Sequence, residues 1–131
     1  PETQVVLPRI DSDFLDLMEA AANGTLNKVD FSVSDETATT VVMVAGGYPE
    51  AYQKGEIITG IDKIDQSIVF HAGTKVADNG DTVTNGGRVL AITGTGNSVA
   101  NALENSYAGV AKINWKNEYH RKDIGQDILK L

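Results

Sequence analysis

Lys75 and Arg88 are the residues whose chemistry stands out, because a Gly86-Gly87 pair directly precedes the arginine. An ammonium acts as a point charge and a guanidinium as a bidentate fork, and together they suit a phosphate group. Glycines let main-chain N–H groups come close to such an anion. The alternative is a solvated hairpin carrying two incidental surface cations, each worth little.

The flanking sequence must place these cations. Residues 67–75 (SIVFHAGTK) and 84–93 (TNGGRVLAIT) are apolar, β-branched runs ending in turn residues, and both read as strands. Between them Asn79-Gly80 signals a hairpin, since both residues tolerate positive φ. The hairpin would bring Lys75 and Arg88 towards one region.

Other chemistry is sparse. His71 and His120 lack the spacing of a zinc site, and Asp78 with Asp81 lacks the further oxygens of a calcium loop. Ser98 has no recognisable base. The run 88–100 (RVLAITGTGNSVA) mimics a dinucleotide fingerprint, a strand, Gly-x-Gly and then a helix. No second parallel strand with an acidic residue about 20 positions on follows it, so a dinucleotide-binding module is a weak alternative.

The 131 residues make one domain, or one domain with a remnant of another. A hydrophobic fraction of 41% suffices for a packed core, and no stretch has the length of a membrane span. The net charge of −7 argues against general nucleic-acid or membrane-surface binding. With no cysteine, disulfides and thiolate metal sites are excluded, which fits a reducing compartment. No signal peptide is visible, and a cytoplasmic location is expected.

In chain order, Val5, Val6, Leu7 and Ile10 should pack against another surface. Asp11 or Ser12 can cap a helix with apolar positions Phe14, Leu15, Leu17, Met18, Ala21 and Ala22, stopped by Asn23-Gly24. Residues 26–33 are weakly patterned, and 34–37 form a polar link. Residues 37–45 (TATTVVMVA) read as a buried central strand, and Glu56–Ile61 as a short one. Val99, Ala102, Leu103, Ser106, Tyr107 and Val110 share one face of a helix capped by Asn97 or Ser98. Gly109 should weaken that helix by about 1 kcal/mol relative to Ala. The tail carrying Trp115, Tyr119 and His120 is expected to pack back on the sheet, with Arg121-Lys122 a solvated basic pair.

Four segments, GGYPEAYQKGEIITG (46–60), FHAGTK (70–75), TNGGRVLAITG (84–94) and YHRKDIG (119–125), resemble the carboxyl-terminal region of phosphoribosylamine–glycine ligases. The opening PETQVVLPRI is similar to the end of that family's ATP-grasp domain, whose pattern reads Gly-Asp-Pro-Glu-Thr-Gln. A chain that opens inside this motif is expected to be a piece of a longer protein. The resemblance implies an α+β fold, a small mixed or antiparallel sheet, barrel-like in one version, with a packed helix. Residues 1–35 would be the ATP-grasp remnant and 36–131 the carboxyl-terminal domain.

The resemblance also implies the parent reaction, ATP-dependent joining of glycine to 5-phosphoribosylamine, giving glycinamide ribonucleotide, ADP and phosphate in purine biosynthesis. By the same resemblance Lys75 and Arg88 would hold the 5′-phosphate, Gly86 and Gly87 would keep the backbone close, and Glu2 would lie near the glycine or amine end. His71 and Thr74 are weaker candidates, equally readable as supports of the hairpin. No catalytic or metal-ligating residue is expected in this stretch. ATP and Mg or Mn would be held by the parent enzyme, leaving this piece inactive alone. Its expected partners are the two small substrates and the missing amino-terminal and ATP-grasp domains. The stripe Phe14, Leu17, Met18 and Ala21 should lie exposed and favour self-association. A structural lid or interaction domain without chemistry is the competing reading.

Overall fold

The computed structural model describes residues 1–130. Its helices are α1 (Thr3–Val6), α2 (Phe14–Ala22) and α3 (Val99–Val110); its strands are β1 (Thr37–Ala45), β2 (Ile68–His71), β3 (Thr74–Val76), β4 (Thr82–Thr84), β5 (Arg88–Gly96) and β6 (Glu118–His120). The architecture is α+β. A four-stranded sheet in the order β2-β5-β1-β6 stands beside a two-stranded one, β3-β4. Among the described residues every ladder is antiparallel and neither sheet closes into a barrel, so the mixed and barrel-like versions of the expected fold are set aside.

The expected hairpin exists, but each arm is broken. Its tip is the β3-β4 pair, with Lys75 opposite Val83, and only Gly80 of the Asn79-Gly80 turn takes positive φ, at 89°. The bases of the arms, β2 and β5, pair in the other sheet, Ile68 with Thr93 through His71 with Leu90. The breaks fall at Ala72-Gly73 and Asn85-Gly86-Gly87, where the two chain segments cross. A Cβ on Gly73 would come within 2.7 Å of the Gly86 Cα, and one on Gly86 within 2.9 Å of the Gly73 Cα. Only glycine fits on either side.

β5 is buried from Val89 to Gly94 because both its faces are covered. On one face α3 packs so tightly that a Cβ on Gly94 would lie 2.5 Å from the Ala102 carbonyl oxygen and the Ser106 nitrogen. Ser106 fastens the contact: its hydroxyl accepts from the Gly94 N–H at 2.9 Å and lies 2.8 Å from the Thr39 hydroxyl. Ser98 caps α3, accepting from the Asn101 N–H at 3.2 Å. Gly109, expected only to weaken the helix, faces Ile92 and Ser67, and a Cβ there would meet them at 2.7 and 2.8 Å. Val41, Met43, Leu90, Ile92, Val110 and Trp115 form the centre of the core.

The Gly-x-Gly of the dinucleotide mimic therefore has a packing explanation. Gly94 and Gly96 both lie within β5 and seat α3, with no turn between strand and helix at Gly94. The tail does return to the sheet, β6 pairing Met43–Ala45. Glu56–Ile61 is not a strand; single bridges link Ile57 to Val83 and Thr59 to Asn114. Arg121 is not merely solvated, because it grips Asp123 with Nε at 2.9 Å and Nη2 at 2.8 Å.

Residues 1–35 differ from expectation in detail. Asp13, not Asp11 or Ser12, caps α2, accepting from the N–H groups of Leu15 and Asp16 at 2.8 and 3.2 Å. Ser12 instead bonds Asp30 and Ser32, tying 9–12 to 30–34 beside the Ile10–Val33 bridge. Within the apolar stripe of α2, Leu17 is buried together with Ala20, while Phe14, Leu15 and Met18 are exposed. The expectation for Leu17 fails, since it is buried; beyond Ala20 the chain turns back, the Thr25 N–H reaching the Ala20 carbonyl at 2.8 Å. Asn23-Gly24 does stop α2, with Gly24 at φ 66°.

Because the atoms facing Gly73 and Gly94 are backbone, they cannot be pushed aside as a flexible side chain can. Gly73→Ala and Gly94→Ala should each lower stability by roughly 1–3 kcal/mol or more, the usual cost of overpacking. Urea unfolding of the two variants against the unaltered chain checks this, and unchanged midpoints would contradict the close crossings.

Candidate functional site

A groove of about 530 Å³ opens on the face of the sheet opposite α3, lined by Gln4, Val42, Tyr48, Gly73, Gly87, Arg88 and Ala91 among others. Its floor is β1 and β5. Arg88 and Ala91 both line it although they are three residues apart, positions that a regular strand places on opposite faces. A bulge explains this: the register slips between Met43 and Val44, so Val44 faces Arg88 and Val89 has no partner. Bulges commonly re-aim a side chain in this way.

One wall comes from the crossing of the hairpin arms. Gly87 is buried beneath Tyr48, whose Cδ2 would lie 2.1 Å from any Cβ there. Tyr52 holds Tyr48 from the side, edge to face at 6.0 Å. The Gly87 carbonyl accepts from the Ala45 N–H at 2.8 Å, yet among the described residues the N–H groups of Gly86 and Gly87 find no acceptor. Two unpaired N–H groups directly before an arginine offer an anion both hydrogen bonds and charge.

The opposite wall is the amino-terminal turn. Thr93 Oγ1, fully buried, lies 3.0 Å from the Gln4 carbonyl oxygen and 2.9 Å from the half-buried Thr40 hydroxyl, so the Thr93 hydroxyl pins α1 to β5. The side-chain Oε1 of Gln4 is out of water and has no donor. A buried acceptor left unpaired costs about 1–3 kcal/mol. Neither Gln4 nor Tyr48 stood out in the sequence as a site residue. The only signal was that each lies inside a resembling segment.

Of the residues singled out from sequence, Arg88 and Gly87 line the groove and Gly86 sits at the crossing beside it. Lys75 is exposed on β3, two positions beyond Gly73, and is not among the groove's lining residues. Glu2 is exposed between the lining residues Pro1 and Thr3. Its carboxyl group is held below the usual carboxylate range, first by its own backbone N–H, with Arg88 a smaller influence. His71 Nδ1 meets Thr74 Oγ1 at 2.9 Å across the Ala72-Gly73 break, a support for the kink. His120 pairs with Glu118 at 3.1 Å on β6.

Among the described residues no three His, Asp or Glu side chains converge as metal ligands would, and no helix is long and apolar enough to cross a membrane. The groove thus has a guanidinium and glycine amides, with the unpaired Gln4 Oε1 buried in its wall, and among the described residues no metal cluster.

These features define an α+β domain, an antiparallel sheet with an arginine and a glycine crossing beside a groove. Residues 38–127 match the family model described as phosphoribosylglycinamide synthetase, C domain, and the chain belongs to that family. It is similar to the phosphoribosylamine–glycine ligase of Xylella fastidiosa strain 9a5c, 48% identical over 126 residues, covering 95% of this chain and 29% of that protein. A bifunctional purine biosynthetic protein of Pichia angusta is 46% identical over 132 residues, covering 99% of this chain and 17% of its own length. The crystal structure of the phosphoribosylamine–glycine ligase from Thermotoga maritima superimposes with a TM-score of 0.74 at 30% identity, covering 94% of this chain and 30% of that one. The chain therefore spans under a third of the length of these relatives.

Proposed function

We propose that this chain is the carboxyl-terminal part of a phosphoribosylamine–glycine ligase of purine biosynthesis, and that its groove binds the phosphoribosyl end of the substrate. In the parent reaction ATP would phosphorylate the glycine carboxylate, and the amine of 5-phosphoribosylamine would displace phosphate. The observation that carries the reading is Arg88 and Gly87 lining one groove, with Gly86 beside it and both glycine N–H groups without an acceptor among the described residues, in a member of this family. A 5′-phosphate would take the guanidinium fork and the two amides. Lys75, outside the lining, would act as a long-range point charge. Glu2, at the rim, would face the amine end. The cellular setting proposed is the cytoplasm.

A charge-assisted bond from Arg88 to the phosphate is worth roughly 1.5–3 kcal/mol, or about 10- to 100-fold in affinity. In the full-length ligase, Arg88→Ala should weaken the phosphoribosylamine parameters by that factor and leave those for ATP nearly intact. Arg88→Lys should recover only part, because a point charge replaces a planar fork. Unchanged KM and kcat for phosphoribosylamine in Arg88→Ala would sink the assignment.

ATP and its metal ion would be held by the rest of the longer protein. The isolated chain should then form no ADP from ATP with glycine and phosphoribosylamine, because phosphoryl transfer needs charge stabilisation that a lid cannot assemble. Glycine-dependent ADP release by the pure chain would refute this.

A second reading, a domain that docks and positions without gripping substrate, is favoured by one observation. Val6, Phe14, Leu15, Met18, Leu26 and Phe31 are all exposed in the first 31 residues. An apolar surface of this kind suits a partner; we assign it to the remaining domains of the same protein. Without them the chain should associate with itself, and sedimentation should show molecular weight rising with concentration. A strict monomer at millimolar concentration would count against that surface being a docking face.

A further inference from the structure

The orphan acceptor on the groove is unexplained by an anion site, and it has a chemical consequence. Arg88 and the glycine amides only donate hydrogen bonds. A sugar phosphate bound there would bring hydroxyl donors of its own, and these need acceptors in a lining where only Thr3, Gln4 and Tyr48 carry one on the side chain. Gln4 lines the same groove, and its Oε1 has no donor among the described residues. Its backbone is fixed by the Thr93 hydroxyl, while its terminal torsion is soft enough to turn the amide into the groove.

We propose that Gln4 is a substrate-positioning residue whose side-chain carbonyl oxygen accepts a hydrogen bond from a ribose hydroxyl of a sugar phosphate anchored at Arg88. This rests on the phosphoribosyl reading above and adds the group that recognises the sugar. An amide suits the position better than a carboxylate. Both accept, but a carboxylate would repel the phosphate and compete for Arg88. The groove volume of about 530 Å³ accommodates a pentose phosphate.

The test uses the 131-residue chain and three ligands followed by amide NMR titration: ribose 5-phosphate, tetrahydrofurfuryl phosphate, which keeps the ring and phosphate but lacks the hydroxyls, and inorganic phosphate. In the unaltered chain, ribose 5-phosphate should bind about tenfold more tightly than tetrahydrofurfuryl phosphate. In Gln4→Met, which keeps length and loses the acceptor, the two should bind alike, with inorganic phosphate unchanged within about twofold. Unmoved Thr40 and Thr93 amide signals in that variant would show the turn still pinned. A merely structural role for Gln4 would weaken all three ligands together.

Equal binding of the two ring phosphates to the unaltered chain would overturn the Gln4 assignment, even if Gln4→Met failed to fold. If neither bound, or if Arg88→Ala weakened neither, the phosphoribosyl reading would fall and Gln4 with it. Loss of affinity in Arg88→Ala alongside an unaltered preference in Gln4→Met would overturn Gln4 alone.

Discussion

The close crossing of Gly73 over Gly86 is the constraint on which the rest of this fold depends. A single Cβ on either residue would fall inside contact distance of the other's main chain. Without that approach the hairpin arms could not leave one sheet and enter the next within two or three residues. The same crossing leaves the amides of Gly86 and Gly87 outside any ladder and sets Arg88 at the first position of β5. Unsatisfied backbone donors are ordinarily avoided. Here they are concentrated where a cation and a groove already meet, and a bound anion would remove their cost. One steric requirement thus shapes both the division of the sheets and the electrostatics of the site.

Glycine plays a different part under α3. Helix propensity alone counts Gly109 as a loss of about 1 kcal/mol against Ala. The contact decides otherwise, since a Cβ would strike the buried Ile92 and the Ser67 hydroxyl, which donates to the Asn105 carbonyl at 2.6 Å. Displacing a buried Ile costs as much as the propensity gain or more. Gly94 and Gly96 repeat the pattern on the strand, so the helix lies almost on the main chain of β5. A strand–Gly-x-Gly–helix sequence can therefore arise from packing as well as from phosphate binding. What separates the two is whether the glycines sit inside the ladder, and both of these do.

Much of the fold was legible because it is written in local patterns. The 3.6 period of α3, the β-branched run of β1 and the turn at Gly80 are short-range signals, and each appears in the structure. The site was only half legible. Arg88 and its glycines could be picked out by residue type, but the bulge that turns Arg88 into the groove depends on register with a strand more than 40 positions away. Lys75 looked equivalent to Arg88 by spacing, yet the break at Gly73 carries it into the second sheet and out of the groove lining. Asp13 displaced Asp11 and Ser12 as the cap because Ser12 was committed to Ser32 and Asp30, a pairing no local rule encodes. Gln4 was invisible for the same reason, its partner Thr93 lying 89 residues away.

That long-range bond also decides what kind of unit the groove belongs to. Read as a chain of parts, residues 1–35 would be a remnant with its own allegiance and the site would belong to the sheet alone. Within this structure the buried Thr93 hydroxyl, backed by the Thr40 hydroxyl, holds the amino-terminal turn against β5 by donating to the Gln4 carbonyl. Buried hydroxyls are retained only where they are paired, and here the turn completes the pairing. Exposed apolar side chains begin at Val6 and Leu7, at the end of the pinned turn, and continue on α2 and the segment after it. The amino-terminal stretch therefore faces two ways: its first turn walls the groove, and the residues after it leave apolar side chains exposed.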